Sequence, residues 1–418
     1  MNVMTPVIAP ETVGMCSERM SRIPEFFKAY VDNKKVSGLS VLVARKGEKI
    51  HHSCVGVKDW DTGEPIEQDT IFRIYSMTKP ITSIALMMLF EEGKFRLEHD
   101  VSRYIPEFKD LRVFDGGSVD FYQTRRPERP MRVLDLLTHT SGLTYGFMFN
   151  NTVDALYRRN KIGVIDKSDK DGVDLQGFIE NVAKMPLCFD PGTHWNYSVA
   201  TDVCGHLVEV LSGQTLDEFF RTRIFEPLGM KDTGFHVPAD KLHRFATCYE
   251  RPAGKKEIVL QDKPEGSPYT IPPKFLSGGG GLVSTSDDYF RFIQMVLNGG
   301  ELDGLRLLSP TTINFMRQNH LVDGKSIKDL GISTFSEERE DGTGFGLGFS
   351  VVTDSVATQA PTSLGTYSWG GAASTYFWID PVEEIVAVFM TQLMPSSTFP
   401  MRPQLQTLVN AAILESQA

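Results

Sequence analysis

The chain has 418 residues, of which 41% are hydrophobic and 23% are charged, and its net charge at pH 7 is −10. This length allows two or three core-bearing units, and the composition is that of an ordinary water-soluble globular protein. The acidic balance and the lack of any Lys/Arg-rich run argue against nucleic acid or an anionic membrane as a partner. The scattered cysteines form no Cys-x-x-Cys pair and no His-Glu-x-x-His motif occurs, so the sequence predicts no metal site.

The start of the sequence and its longest apolar run bear on localisation. Residues 1–6 lack the basic start and the apolar segment of a signal peptide, and the run 84–90 is too short to cross a bilayer. An odd number of scattered cysteines fits reduced thiols. We therefore expect a cytoplasmic protein.

Hydrophobic spacing predicts the first elements of the fold. Apolar residues at helical spacing predict a helix over 18–33, with Ser17 as its cap. Residues 38–44 and 50–57 have the character of two strands joined by a short turn. An apolar helix follows Ser76 and is expected to end near Gly93, because glycine favours the position just after a helix.

The later elements suggest how the domains are arranged. Helical patterns cover 200–211, 216–224 and 287–298; the pattern then becomes β-rich from 345, and a last amphipathic helix covers 403–415. Strands near both ends with helices between them predict one α/β domain made of 1–97 and 274–418, and a mostly helical domain over 98–273. The active site is then expected in the cleft between them. The alternative is two independent, consecutive domains.

Ser76 and Lys79 form the only Ser-x-x-Lys motif of the chain. A three-residue step on a helix places both side chains on one face, so the Ser76 hydroxyl and the Lys79 amine can meet. A serine hydroxyl is a weak nucleophile until a neighbouring base takes its proton, and a desolvated lysine can be that base. A capping serine followed by a solvated lysine would have the same spacing, so the interpretation depends on other segments.

Three further segments accompany this motif in a characteristic order. They are 135–143 (Asp-Leu-Leu-Thr-His-Thr-Ser-Gly-Leu), 191–198 (Pro-Gly-Thr-His-Trp-Asn-Tyr-Ser) and 368–372 (Ser-Trp-Gly-Gly-Ala). With Ser76 and Lys79, this order resembles the serine β-lactamase and penicillin-binding-protein superfamily, class C branch, and most closely its family VIII carboxylesterases. The resemblance covers nearly the whole chain. It implies an α/β (α+β) fold of the β-lactamase/transpeptidase type, with an antiparallel sheet flanked by helices and an inserted, mostly helical domain.

The resemblance also implies roles for particular residues. Ser76 is the implied nucleophile, and Lys79 and Tyr197 are the implied proton-transfer residues; which of these two is the general base stays open. The implied oxyanion donors are the backbone N–H groups of Ser76 and Ala372.

Two departures from the lactamase pattern point to the substrate. The asparagine of the Tyr-x-Asn motif is replaced by Val199, and the Lys-Thr-Gly segment is replaced by Trp369-Gly370-Gly371. The site thereby loses a cation for an acidic substrate and a donor for an amide, whereas a tryptophan offers a flat apolar wall to a neutral ester. The two glycines allow a strand to pass close to the substrate, although an ordinary Gly-Gly bulge would have the same sequence. We expect Trp369, Gly370 and Gly371 to bind substrate.

An aromatic loop follows the Thr-Ser-Gly turn and contains Tyr145 and Phe147. Aromatic side chains in a loop often line a binding cleft, so both are candidate substrate-binding residues. A loop anchored by buried aromatics is an equal alternative.

A Ser-His-Asp arrangement is a weaker alternative for the catalytic base. His139 lies one helical turn after Asp135, but a histidine in such a turn more often satisfies backbone groups of the loop. The chain contains no Gly-x-Ser-x-Gly, so the nucleophile elbow of the α/β-hydrolases is excluded as a motif.

The sequence therefore predicts a serine carboxylesterase that hydrolyses small neutral esters through a Ser76 acyl-enzyme. We expect no cofactor, no metal, a small-molecule ester as the partner, and neither nucleic acid nor membrane; the oligomeric state stays open. The alternatives within the enzyme class are a β-lactamase or D-amino-acid peptidase and an acyltransferase of the same fold. A non-catalytic binding module of this fold is less consistent with Ser76, Lys79 and Tyr197.

Overall fold

The computed structural model describes residues 7–163, 172–332 and 341–417 of the chain. Its strands, in chain order, are β1 (Gly38–Arg45), β2 (Glu48–Gly56), β3 (Phe72–Arg73), β4 (Val113–Gly117), β5 (Tyr122–Arg125), β6 (Cys248–Glu250), β7 (Val259–Asp262), β8 (Val283–Ser284), β9 (Glu301–Leu302), β10 (Leu305–Arg306), β11 (Thr343–Phe345), β12 (Ser350–Val352), β13 (Tyr367–Gly370), β14 (Tyr376–Asp380), β15 (Ile385–Thr391) and β16 (Leu393–Met394).

The α-helices in the same ranges are mostly short. They are α1 (Ser17–Met20), α2 (Arg22–Asp32), α3 (Thr78–Glu91), α4 (Val133–Leu137), α5 (Thr152–Arg159), α6 (Leu175–Val182), α7 (Ala200–Ser212), α8 (Leu216–Phe220), α9 (Glu226–Leu228), α10 (Ser286–Leu297), α11 (Pro310–Met316), α12 (Ile327–Leu330) and α13 (Met401–Asn410). A single π-helical turn, Arg221–Phe225, joins α8 to α9. Short 3₁₀ turns cover Pro10–Val13, Tyr75–Met77, Val101–Arg103, Pro106–Asp110, Gly146–Met148, Ala239–Arg244, Pro268–Thr270, Val322–Gly324 and Ser396–Thr398.

Seven strands form the main sheet, in the order β11-β12-β13-β14-β15-β1-β2, and every pair of neighbours is antiparallel. The strand β1 pairs with β15, so the two ends of the chain contribute to one sheet. This agrees with the predicted arrangement of strands at both ends and helices between them. The proposed boundaries at 97/98 and 273/274 stay a prediction.

Both faces of the sheet are covered, which explains why β1 is buried along its whole length. Side chains of a strand alternate between faces. Accordingly, Val41 and Val43 pack into the core cluster that contains Phe27 and Trp378, whereas Leu42 packs with the helices of the other face. The predicted strands 38–44 and 50–57 are therefore confirmed, with bounds shifted by one or two residues.

The helix after Ser76 is confirmed and passes through the core. Residues 78–89 of α3 are all buried, so it has no solvated face, as is typical of a helix enclosed on all sides. It ends two residues before Gly93, whose φ of +72° is a conformation that glycine adopts at little cost. Helix α3 packs on α7, and α10 packs on β15.

Several predicted elements are divided or shorter in the structure. The helix predicted over 18–33 is interrupted at Ser21, since Pro24 in the first turn of α2 has no N–H to continue a helix from before it. The pattern 216–224 continues into the π turn, and the last helix ends at Asn410. The alternating run after 345 divides into β11 and β12 around Gly348, whose φ is +98°.

Two further features concern localisation. All five cysteines of the chain lie in the described ranges and are free thiols. Within the parts of the chain that the structure describes, no helix has the length and apolarity needed to cross a bilayer.

Candidate active site

The Ser76 hydroxyl lies on a 3₁₀ turn, Tyr75–Met77, that leads directly into α3. The preceding residue, Tyr75, has a φ of +42°, a backbone conformation that is unfavourable for residues other than glycine. The turn is held by the Met77 N–H, which donates to the Ile74 carbonyl at 3.0 Å, and by the Tyr289 hydroxyl, which donates to the Met77 carbonyl at 2.9 Å. Ser76 itself is half-buried, so it remains partly accessible on a turn that is locally strained at Tyr75.

Lys79 is almost fully buried, with 2% of its surface exposed. Its ammonium nitrogen Nζ lies 3.3 Å from Ser76 Oγ, 3.0 Å from Tyr145 Oη and 2.7 Å from the Gly279 carbonyl oxygen. The structure therefore brings Ser76 and Lys79 together, as their spacing on the helix predicts. A lysine amine confined beside a serine hydroxyl in a desolvated site can exchange a proton with it.

Tyr197 contacts the same lysine through its ring. The Lys79 Nζ lies 4.5 Å from the centre of the Tyr197 ring, and Tyr197 is 1% exposed. Neighbouring rings lie at 5.0 Å (His139), 5.2 Å (Tyr145) and 5.4 Å (Trp369) between centroids. Tyr197 is thus placed beside Lys79 by an aromatic cluster, and its part in proton transfer stays a prediction.

Tyr145 lies closer to the reacting groups than sequence reasoning placed it. Its hydroxyl is a hydrogen-bond partner of Lys79, and its ring stacks on Phe147 with centroids 4.6 Å apart and planes 19° apart. Tyr145 is buried, whereas Phe147 is 56% exposed. The loop therefore combines both predicted alternatives: Tyr145 anchors it at Lys79, and Phe147 presents an aromatic face to solvent.

The glycines before Ala372 have physical reasons to be glycines. A Cβ on Gly371 would lie 2.3 Å from the Ile74 carbonyl oxygen, and a Cβ on Gly370 would lie 2.4 Å from the Arg402 guanidinium. The end of β13 therefore lies directly against the residues that precede Ser76. The Arg402 side chain fixes this segment by donating to the Gly371 carbonyl at 2.9 Å. The segment that carries Ala372 thus lies against the turn that carries Ser76, and its role as an oxyanion donor stays a prediction.

Trp369 is buried, with 1% of its surface exposed. Its ring lies between Tyr197 and Phe345, with each pair of centroids 5.4 Å apart. The described contacts of Trp369 therefore support Tyr197, and its contact with substrate stays a prediction.

The Ser-His-Asp alternative is not assembled in the structure. The Asp135 carboxylate accepts hydrogen bonds from Arg129 at 2.7 and 2.8 Å, and His139 Nδ1 lies 3.2 Å from the hydroxyl of Ser198, not of Ser76. Burial and, secondarily, the positive charge of Lys79 hold the pKa of His139 well below its usual value, so the imidazole is neutral. His139 supports the aromatic cluster and is not placed to act on Ser76.

Two members of the site were missed by sequence reasoning. The Gly279 carbonyl contacts Lys79, and the Gly279 N–H donates to the carboxylate of Asp202 at 3.0 Å. The run of glycines at 278–281 was the available signal, because closely packed backbone needs residues without side chains. No local spacing connects Asp202 to Lys79.

Comparison with known proteins identifies the family of this chain. The family model described as Beta-lactamase matches residues 23–411. The chain belongs to the beta-lactamase family. Protein Rv1367c of Mycobacterium tuberculosis is 36% identical over 363 residues, which cover 86% of each chain. Esterase EstB of Burkholderia gladioli is 31% identical over 385 residues, which cover 89% of this chain and 90% of EstB.

A solved structure extends the comparison to the whole fold. EstCE1, a hydrolase with promiscuous acyltransferase activity, superposes with a TM-score of 0.76 at 27% identity, covering 97% of this chain and 99% of EstCE1. These similarities confirm the predicted relationship to the family VIII esterases of this superfamily. They also confirm the β-lactamase/transpeptidase-like fold and the assignment to the serine hydrolases. They also support carboxylesterase activity at that coarse level.

Proposed function

We propose that this beta-lactamase family member is a serine carboxylesterase that hydrolyses small, neutral carboxylic esters through a covalent Ser76 acyl-enzyme. The observation that carries the proposal is the position of the Lys79 Nζ, 3.3 Å from Ser76 Oγ and buried from solvent. A poor nucleophile is thereby placed within proton-transfer distance of a desolvated base.

Acylation begins when Ser76 Oγ attacks the ester carbonyl carbon. The Ser76 proton passes to a proton-transfer cluster formed by Lys79, Tyr145 and Tyr197. The carbonyl oxygen becomes an oxyanion, which is stabilised by the backbone N–H groups of Ser76 and Ala372. Collapse of this tetrahedral adduct breaks the bond to the alcohol oxygen. The alcohol leaves with the proton returned by the cluster, and the acyl group stays on Ser76.

Deacylation repeats these steps with water in place of the serine. Water loses a proton to the cluster and attacks the acyl carbonyl, and the second tetrahedral adduct expels Ser76 Oγ, which regains the proton. Lys79, Tyr197 and Tyr145 together form the cluster, because both tyrosines lie against the Lys79 ammonium. Lys79 can accept the proton as a neutral amine, and Tyr145 or Tyr197 can accept it as a phenolate.

The proposed domain division explains how the cluster is assembled. Ser76, Lys79 and Trp369 belong to the unit 1–97 plus 274–418, whereas Tyr145 and Tyr197 belong to 98–273. The site therefore lies where the two units meet, which is the usual place for a small-molecule pocket.

The substrate class is argued from the aromatic residues around Lys79. Tyr145 and Tyr197 contact Lys79, Phe147 stacks on Tyr145, and Trp369 packs on Tyr197. In the sequence, Trp369 stands where lactamases have the lysine that holds a substrate carboxylate. Aromatic rings favour apolar acyl and alcohol groups over charged ones. We therefore propose a small, neutral ester as the partner molecule, and neither nucleic acid nor a membrane.

The decisive experiment compares wild type, Ser76→Ala and Ser83→Ala on p-nitrophenyl butyrate and on a chromogenic cephalosporin. Ser83 is a matched control because it is a buried serine further along the same helix. We expect Ser76→Ala to lower kcat/KM for the ester by at least about 1000-fold and Ser83→Ala to leave it within about threefold. Cephalosporin turnover should be far slower than ester turnover in the wild type.

Two results would contradict the proposal in different ways. Ester turnover that survives in Ser76→Ala would exclude the acyl-enzyme mechanism. Dominant cephalosporin turnover in the wild type would instead keep the mechanism and replace the esterase by a β-lactamase.

Acyl transfer to an alcohol is the second candidate, because it differs from hydrolysis only in the acceptor. The similarity to EstCE1 favours this reaction. Phe147 also stacks on Tyr145 and offers an exposed aromatic face, on which an apolar alcohol could bind in place of water. Adding benzyl alcohol to the p-nitrophenyl butyrate reaction measures this directly. Transfer is supported if benzyl butyrate forms and Phe147→Ala reduces the ratio of ester to acid, and it is excluded if only butyrate appears.

A further inference from the structure

We propose that Asp202 is a positioning residue that holds the proton-transfer cluster in place and stabilises positive charge on Lys79 through the Gly279 peptide. The inference deepens the proposed esterase function and rests on it. It concerns a buried carboxylate that does not touch Ser76 and that the mechanism above does not use.

The contacts connect Asp202 to Lys79 through a single residue. Asp202 Oδ1 accepts hydrogen bonds from Ser277 Oγ at 2.5 Å and from the Gly279 N–H at 3.0 Å. The carbonyl of the same Gly279 accepts from the Lys79 Nζ at 2.7 Å. The carboxylate therefore fixes the backbone group that in turn fixes the amine beside Ser76.

Gly279 is packed so tightly that this arrangement depends on its having no side chain. A Cβ at this position would lie 2.6 Å from Asp202 Oδ2 and 3.0 Å from Tyr145 Oη. Both distances are shorter than ordinary carbon–oxygen contacts. The Asp202 carboxylate and the Tyr145 hydroxyl thus approach Gly279 closely on its side-chain side, while its carbonyl contacts Lys79.

Helix α3 holds the same loop at two further points. Thr82 Oγ1 donates to the Gly278 carbonyl at 2.7 Å, and the Leu282 N–H donates to Thr78 Oγ1 at 3.2 Å. The loop 277–282 is therefore held by the nucleophile helix at Gly278 and Leu282 and by Asp202 at Ser277 and Gly279. Asp202 lies in the first turn of α7, the helix that follows Tyr197.

The charge balance gives the carboxylate a second effect. Asp202 is 2% exposed, and a buried carboxylate is costly unless it is hydrogen-bonded and near a cation. Burial raises the pKa of Asp202, and the positive charge of Lys79 is the largest influence that opposes this rise. Because electrostatic interactions are mutual, the carboxylate stabilises the protonated form of Lys79.

The titratable neighbours of this pair can be named among the described residues. Tyr145, Tyr197 and His139 surround Lys79, and Cys204 lies beside Asp202. Burial keeps His139 neutral, and burial raises the pKa of Cys204, with Asp202 adding to the rise, so neither carries charge near pH 7. Among these described neighbours, the negative charge that acts on the proton-transfer cluster is therefore that of the Asp202 carboxylate.

Removing this charge should change the pH dependence of Ser76 reactivity. A base beside a carboxylate holds its proton more tightly, so Asp202→Asn should make the essential base lose its proton at lower pH. The acidic limb of the profile should move down by about one unit or more, whichever of Lys79 and the tyrosines is the base. The maximal rate should fall about tenfold, because the developing ammonium loses its stabilising partner.

The test measures the rate at which a fluorophosphonate labels Ser76 between pH 5 and pH 9, in wild type, Asp202→Asn, Gly279→Ala and Cys204→Ala. Labelling needs an activated serine but no ester hydrolysis, so it separates this inference from the proposed function: wild type that labels but hydrolyses no ester contradicts only the latter. Gly279→Ala removes no polar group but should displace the Asp202 carboxylate, because the new Cβ would lie 2.6 Å from Asp202 Oδ2. This variant therefore replaces Asp202→Asn in the experiment if Asp202→Asn does not fold.

We expect the limb of Gly279→Ala to move in the same direction as that of Asp202→Asn, and the limb of Cys204→Ala to stay at the wild-type position. The Cys204 variant controls for a disturbed core in α7. A folded Asp202→Asn or Gly279→Ala whose acidic limb coincides with wild type would overturn the inference, even if its maximal rate is lower, because a purely structural role would reduce the rate without moving the limb.

Discussion

The hydroxyls of Ser76 and Ser40 each lie beside a basic side chain, and the surroundings of these two clusters differ. At the candidate active site, Ser76 Oγ lies 3.3 Å from the Lys79 Nζ. In the main sheet, Ser40 Oγ lies 3.2 Å from His52 Nε2, and His52 Nδ1 lies 4.0 Å from a carboxylate oxygen of Asp287. By residue type, the second cluster resembles a Ser-His-Asp triad more closely than the first does.

Access separates the two serines. Ser40 lies in the middle of β1 between β15 and β2, is fully buried, and its hydroxyl is also 2.9 Å from Ser286 Oγ. Ser76 lies on a half-buried turn at the start of a helix, next to the glycine segment at the end of β13. A substrate carbonyl can therefore approach Ser76 but not Ser40.

Charge separates them as well. Burial lowers the pKa of His52 to about 4, with the nearby Asp287 opposing this effect, and the Asp287 carboxylate is paired with Lys49. His52 is therefore neutral at pH 7, and its carboxylate neighbour serves another cation. The two clusters therefore differ in the exposure of the serine and in the charge of the neighbouring base, although the residue types of the Ser40 cluster are those of a catalytic triad.

The largest effect should come from replacing Lys79 and Lys49, both buried, in turn with methionine. Lys79→Met removes the amine of the proposed proton-transfer cluster beside Ser76 and should lower kcat/KM for p-nitrophenyl butyrate by about 1000-fold. Lys49→Met should leave kcat/KM unchanged and instead lower the free energy of unfolding by about 1–3 kcal/mol, because Asp287 loses its partner. Ester kinetics and urea unfolding on both variants measure this contrast. Equal loss of activity in the two variants would mean that the clusters are functionally connected.

The next effect tests the proposed oxyanion donor at Ala372. A Cβ on Gly371 would lie 2.3 Å from the Ile74 carbonyl oxygen and from Thr375 Oγ1, so Gly371→Ala should displace the segment that carries Ala372. We expect kcat to fall about 100-fold, as when one oxyanion donor is lost.

Gly365→Ala is the matched control for this variant. Gly365 has a φ of +78° and open space around its Cα, so alanine there should cost about 1 kcal/mol of stability and no activity. If Gly371→Ala retains wild-type kcat in a folded protein, Ala372 is not an oxyanion donor.

The two clusters also show which contacts a sequence can predict. Ser76 and Lys79 could be paired because three residues on a helix fix their relative position, and the end of that helix could be predicted from Gly93. The contacts of Lys79 with Tyr145 and with Gly279 span 66 and 200 residues, so they depend on how distant elements pack. The order of the motifs predicted Tyr197 only because a whole family shares that order, and nothing local distinguishes Asp202 from any other acidic residue in a helix.

The smallest effect concerns stability and tests whether the Ser40 cluster is structural. The pKa of His52 is about 4 in the folded protein and about 6.5 in an unfolded chain, so between these values the unfolded chain binds more protons. The contribution of neutral, buried His52 to the free energy of unfolding is therefore complete above pH 6.5. It is lost as the pH falls toward 4, by about 2 kcal/mol at pH 5.

His52→Gln cannot take up this proton and should lose less stability between pH 7.5 and pH 5 than wild type. Urea unfolding at both pH values measures the difference, and His194→Gln is the control, since His194 is exposed and should not alter the loss. An unchanged acid loss in His52→Gln would show that another buried group, such as its neighbour His51 with a similarly lowered pKa of about 4, accounts for the acid sensitivity of the sheet.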